Sequence, residues 1–132
     1  MYLICYLIIM IKDLFKAIFT FLILDSIYLT TMTSHYKTLI SNIQNTNLRL
    51  KIIPTICVYL LIIGGWFYFI YKSKNKVTKN QSILNSFIFG IVMYGVYEFT
   101  NYAIFEKWTL KTVLIDTLWG GILFSIPTLI VL

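Results

Sequence analysis

Three acidic residues stand inside apolar runs: Asp25 in LILDSIYL, Glu98 in YGVYEFTNYAIF and Asp116 in VLIDTLWGG. No Lys, Arg or His shares their depth in those runs. If the runs cross a membrane, each ionised carboxylate near a helix centre costs roughly 2.5–3.5 kcal/mol on insertion scales. Desolvation and mutual repulsion both disfavour ionising several acids packed together, so a proton, a cation or hydrogen-bond donors must offset the cost. On helical wheels Gly90, Tyr94, Tyr97, Glu98 and Asn101 form one stripe. Thr112, Asp116, Trp119 and Gly120 form a second, and Asp25 with Tyr28 begins a third. The candidate polar membrane site is therefore Asp25, Tyr28, Tyr94, Glu98, Asn101, Asp116 and Trp119, with Glu98 at its centre.

The chemistry open to such a site falls into three classes. It can bind or conduct a proton, a cation or a small cationic solute, since an intramembrane acid is a functional candidate by default. Alternatively, the acids are protonated and join helices through hydrogen bonds worth about 0.6 kcal/mol each, which would make the chain a packing or accessory protein. A third alternative is an intramembrane enzyme acting on lipid or isoprenoid, because paired carboxylates can serve as acid and base. No nucleophile motif, HExxH or DDxxD cluster supports a particular reaction, so no catalytic residue is assigned and enzymatic activity stays open as the less favoured alternative. No cofactor or metal is expected either. His35 is the single histidine, and Cys5 and Cys57 stand apart without a CxxC, as free thiols.

The elements that position these residues follow from composition. The chain is 59% hydrophobic and only 12% charged, with a mean hydropathy of +0.83, against about 25% charged residues in soluble globular domains. Such a chain is an integral membrane protein. Its expected fold is all-α, a four-helix bundle forming a single transmembrane domain over 1–132, with spans at about 14–33, 52–71, 83–105 and 112–132. Each is near the roughly 20 residues needed to cross about 30 Å of hydrocarbon. The apolar run before Lys12 is too short to span and is expected as an interfacial extension over 1–13. MIKDLFKAIFTFLIL has the basic start of an uncleaved signal anchor, so Met10 is a second candidate start. Residues 34–44 carry Tyr36, Leu39, Ile40 and Ile43 at the spacing of a short interfacial helix, with a turn at NTN.

Orientation follows from KSKNKVTK, which concentrates Lys72, Lys74, Lys76 and Lys79 in one tight connection. That density marks the loop as cytoplasmic and makes the chain multi-pass, N-in and C-in. Lys12 and Lys16 join it, giving six basic residues against five on the other side, Lys37, Arg49, Lys51, Lys107 and Lys111. The expected partners are the bilayer and, at Lys72, Lys74, Lys76 and Lys79, anionic lipids. Nucleic acid is not expected, since no basic groove or reader domain accompanies the lysines. Homo-oligomerisation is open. Counting from the helix ends away from this loop at about 1.5 Å per residue, Asp25 lies roughly 12 Å deep, Glu98 roughly 10 Å and Asp116 roughly 6 Å. They share one layer. Trp108 reads as an interfacial anchor and Trp66 as packing; Gly64-Gly65 and Gly120-Gly121 permit close helix approach, and Pro127 can kink the last helix.

The pairing of LDSIYL with GIVMYGVYEFTNYAIFEKWTLKTVLIDTLWGG resembles an uncharacterised family of small predicted four-helix membrane proteins, domain of unknown function 2177. That family shows an LDxxWL-like element early and, later, Y-D-x-T-N, a Trp at the turn and D-x-x-W-G. Glu98 replaces the usual Asp, Tyr28 the usual Trp, and Thr109 a common Pro. The resemblance implies a four-helix membrane fold and brings no activity. Small multidrug-resistance exporters share the architecture but rely on one carboxylate per subunit, and the quinone-reducing disulfide-exchange enzymes need a CxxC that is absent here.

Overall fold

A computed structural model describes residues 1–132. It holds four helices and no strand: α1 (Tyr2–Gln44), α2 (Ile52–Gly65), α3 (Lys79–Ile104) and α4 (Leu110–Val131). α2 continues through a π-helical turn, Trp66–Ile70, and a 3₁₀ turn, Tyr71–Ser73. The segments Ile52–Ser73, Lys79–Ile104 and Leu110–Val131 are each long and apolar enough to cross a membrane. α1 carries the expected 14–33 segment inside one continuous helix of 43 residues, about 65 Å long at 1.5 Å per residue. Residues 2–13 and 34–44 are thus parts of α1. It ends where NTN begins, with Asn45 left-handed at φ 55° and its N–H on the Ser41 carbonyl at 2.9 Å. Asparagine tolerates that conformation better than most residues.

α4 is the central element. It buries nine residues, including Thr112, Asp116, Gly120 and Gly121, and packs against both α3 and α1. Where α3 and α4 cross, a Cβ built on Gly90 would stand 2.1 Å from the Gly120 carbonyl oxygen, so backbone meets backbone. Gly64 has open space around it and Gly65 meets only the Phe89 ring, at 3.3 Å. The close approach expected of two glycine pairs is therefore confined to the second. Pro127 is accommodated without ending α4.

α2 buries only Ile62 along its α-helical part. The π turn adds a residue to the helical repeat and so rotates the following face, which brings Trp66, Ile70 and Tyr71 all inward. Trp66 packs edge-on to Phe21, which does the same to Phe124, in a buried aromatic core. Its indole N–H donates to Thr128 Oγ1 at 2.8 Å, with both residues fully buried. Thr128→Val keeps the shape and strands that N–H, so it is expected to destabilise the bundle by about 1–3 kcal/mol in a detergent-unfolding titration. An unchanged midpoint would show that the indole finds another acceptor.

The two ends of the bundle are fixed by polar contacts. At one end Asp13 accepts from the Tyr71 hydroxyl at 2.7 Å and pairs with Lys74 at 3.4 Å. Lys74 also sits over the Tyr71 ring at 3.8 Å. Partial burial works against the Lys74 ammonium, but the Tyr71 phenol and Asp13 outweigh it and hold its pKa above the ordinary lysine range. A raised pKa means that this pair contributes fully below the ordinary lysine range and is lost as pH rises through the raised value. At the other end Lys107 donates to the Asn42 carbonyl at 2.7 Å, and Leu39, Trp108 and Val113 form a small core. The start of α1 therefore lies beside the lysine loop, and its end lies beside the α3–α4 turn.

Candidate functional site

The three acids are among the most buried polar groups, with Asp25 7%, Glu98 2% and Asp116 3% exposed. Three helices supply them: α1 carries Asp25, α3 carries Glu98 and α4 carries Asp116. Each accepts from aromatic donors. The Tyr59 hydroxyl of α2 donates to Asp25 Oδ2 at 2.6 Å, and the Trp119 indole donates to Asp25 Oδ1 at 3.4 Å. Tyr28 and Tyr36, two turns apart on α1, donate their hydroxyls to the two oxygens of Asp116. The Trp108 indole donates to Glu98 Oε2 at 2.9 Å.

These groups form a connected arrangement. Tyr28 and Trp119 stack face to face, with centroids 4.4 Å apart and planes 6° from parallel. Since Trp119 binds Asp25 and Tyr28 binds Asp116, the stacked pair joins the two aspartates. Glu98 and Asp116 face one another across the packed α3–α4 pair, close enough to interact electrostatically. Tyr94 packs on Gly120 and lies within electrostatic reach of both aspartates, but it makes no hydrogen bond to either. Asn101, on the same wheel face as Glu98, makes no hydrogen bond to it; its Nδ2 is buried without a partner. Tyr97, placed on the same stripe by its spacing, is 60% exposed and touches the site only through an edge contact with Trp108.

Four contributors were not assigned to the site by sequence. Trp108 is 5% exposed and bonds Glu98, where an interfacial anchor was expected. The short α3–α4 turn folds it back under α3, helped by its N–H on the Phe105 carbonyl at 3.0 Å. Tyr36 and Tyr59 are donors to acids. His35 Nε2 lies 2.8 Å from Thr112 Oγ1, which also contacts Thr109 Oγ1 at 2.7 Å at the N-cap of α4. The signal for Tyr36 was present in the spacing, because Asp25, Tyr28, Met32, Tyr36 and Leu39 keep one face of a continuous helix.

The electrostatics set this cluster apart from Asp13. Asp13 has a lysine; Asp25, Glu98 and Asp116 have hydroxyl and indole donors and no cation. Five clefts open elsewhere, around Lys37 and Leu48, beside Phe15, near Lys74, along Val92 and Tyr97, and at Asn42, and the three acids line none of these five. No three His, Cys, Asp or Glu side chains come together as ligands for one metal ion. Chemically, the arrangement can hold a proton between Glu98 and Asp116 while phenols stabilise whichever oxygen remains charged.

The family model described as a predicted membrane protein (DUF2177) matches residues 2–132. No curated protein and no solved structure matches the chain.

Proposed function

The chain belongs to the DUF2177 family of predicted membrane proteins, and on that premise we propose that its buried acids form a proton-binding site able to hold or pass a proton within the bilayer. The observation that carries this reading is the burial of Glu98 and Asp116 near one another, held by indole and hydroxyl donors and in no ion pair. Two carboxylates so placed cannot both stay charged cheaply, and a shared proton removes the repulsion. Asp25, reached through Trp119 and Tyr28, extends the set of proton acceptors. Tyr36 and His35, next to each other on α1, extend the hydrogen-bonded groups toward the end of the bundle that carries the α3–α4 turn. Proton flux into liposomes is the direct test. The wild-type chain should exceed protein-free vesicles, and Asp25→Asn should lower the flux. A wild-type flux equal to the protein-free background would overturn the reading.

One observation favours helix packing as a second reading. Both oxygens of Asp25 and both of Asp116 already accept a donor from another helix, as a purely structural seam would require. On that account the acids are retained for the specificity of helix association, and flux would stay at background in every variant.

The site belongs to a single multi-pass membrane unit over 1–132, with the Lys72, Lys74, Lys76 and Lys79 loop on the cytoplasmic side against anionic headgroups. Cysteines placed at Ser73 and Asn45, after both exposed native cysteines are replaced, should be labelled from opposite faces of sealed vesicles. Labelling of both from one face would overturn the arrangement.

A further inference from the structure

We propose that the cleft between the start of α3 and the end of α4 binds a phosphate oxyanion, carried on the headgroup of an anionic phospholipid or free in solution. This rests on the lysine loop lying at a membrane surface and narrows that general attraction to one site. The cleft, of about 260 Å³, is lined by Lys74, Asn75, Lys79, Ser82, Val131 and Leu132. Two ammonium groups, an amide and a hydroxyl thus share one recess with two apolar side chains.

Two features independent of the lysines point to an oxyanion. The first is Ser82, which is 1% exposed and whose hydroxyl has no hydrogen-bond partner. Other hydroxyls in these helices bond the carbonyl four residues back, as Thr20, Thr30 and Ser125 do. Ser82 does not, and a buried donor left free calls for an acceptor. The second is the N-terminus of α3. Thr78 caps the Gln81 amide at 3.2 Å, and its carbonyl takes the Ser82 amide at 2.9 Å. The amides of Lys79 and Asn80 remain without a partner. Free first-turn amides and the positive end of a 26-residue helix favour an anion at that position.

The lysines are arranged unequally. Lys74 is engaged by Asp13 in the chain's one ion pair, and Lys72 sits over the Tyr68 ring at 5.0 Å. Lys79 is exposed, forms no ion pair and lies at the first position of α3. It is the free charge of the cleft. Val131 and Leu132 add apolar side chains to the lining, which suit a headgroup with attached acyl chains.

The test compares retention of phosphatidylglycerol and phosphatidylcholine by the full chain in native mass spectrometry. The variants are Lys79→Gln, Ser82→Ala and, as a control of equal charge change outside the cleft, Lys76→Gln. Phosphatidylglycerol should be retained preferentially, and Lys79→Gln should lower its retention about fivefold, the effect of one lysine near a surface. Ser82→Ala should lower it about two- to fivefold through the lost hydrogen bond, while Lys76→Gln, whose charge acts only through diffuse attraction outside the cleft, should lower it by clearly less. Displacement of the lipid by millimolar inorganic phosphate identifies a free-phosphate site, and retention in its presence identifies a headgroup site. Equal losses in all three variants would overturn the site and leave only diffuse attraction to the loop. No preference over phosphatidylcholine, with no response to phosphate, would overturn both.

Discussion

Glu98→Gln is expected to fold and insert like the wild type while bringing proton flux down to the protein-free background. The amide keeps the size of a protonated carboxyl, and its oxygen still accepts from the Trp108 indole that now donates to Glu98 at 2.9 Å. Its NH₂ offers a donor in place of the carboxyl O–H. What it cannot do is release or take up a proton. Loss of flux with an unchanged unfolding midpoint therefore assigns the role to ionisation rather than packing. Glu98→Leu separates the two accounts from the other side. It strands a nearly buried indole N–H and removes the partner of Asp116, so about 1–3 kcal/mol of stability should be lost whichever reading holds. Flux retained in Glu98→Gln at the wild-type level would reject the shared proton, since the amide cannot take one up.

The parts of this arrangement legible in the sequence are those set by local pattern. The all-helical membrane class follows from hydropathy. The shared layer of Asp25, Glu98 and Asp116 follows from alternating helix direction and a fixed rise, and all three acids are buried as expected. The first helix was harder to bound. Its apolar run stops near Thr33, yet Ser34 to Gln44 stays helical, because the Leu39 and Ile43 face continues the stripe begun by Asp25 and packs against Trp108 and Val113. Ending the span at Thr33 hid Tyr36 and His35, which lie one turn further on.

Other partners could not be read locally at all. Tyr59 reaches Asp25 only because α2 lies beside α1, a fact of packing with no periodic trace in α2, where one residue alone is buried. The π turn at Trp66 rotates the inward face in a way no helical wheel at 3.6 residues per turn anticipates. Trp108 looks like a boundary anchor because aromatic residues at helix ends usually are. Its inward rotation depends on how the turn from Phe105 to Thr109 closes. Asn101 shows the reverse case. It shares a wheel face with Glu98, but the carboxylate's partner comes from across the turn.

Adding a single methyl group at Gly90 or Gly120 is expected to be the most damaging of the conservative substitutions in the bundle. At Gly90 the new Cβ would stand 2.1 Å from the Gly120 oxygen and 2.6 Å from its carbonyl carbon; at Gly120 it would stand 2.5 Å from Tyr94 Cγ and 2.6 Å from the Gly90 oxygen. The obstacle is largely main chain, which cannot swing aside as a side-chain tip can. Relief therefore requires α3 and α4 to separate, which would draw Glu98 away from Asp116. Overpacking of this kind costs about 1–3 kcal/mol or more, a large loss where a membrane interhelical hydrogen bond contributes only about 0.6 kcal/mol. Gly64→Ala is the matched control, because nothing lies within 4 Å of the added carbon and exchanging Gly for Ala in a helix favours folding by up to about 1 kcal/mol. In a detergent-unfolding series Gly90→Ala and Gly120→Ala should fall well below wild type, with Gly64→Ala at or above it. Proton flux should fall in the first two although every acid is intact, because the spacing of Glu98 and Asp116 depends on that crossing. If Gly90→Ala proved as stable as Gly64→Ala, the helices could not be in backbone contact at that point, and the pairing of the two acids would lose its structural basis.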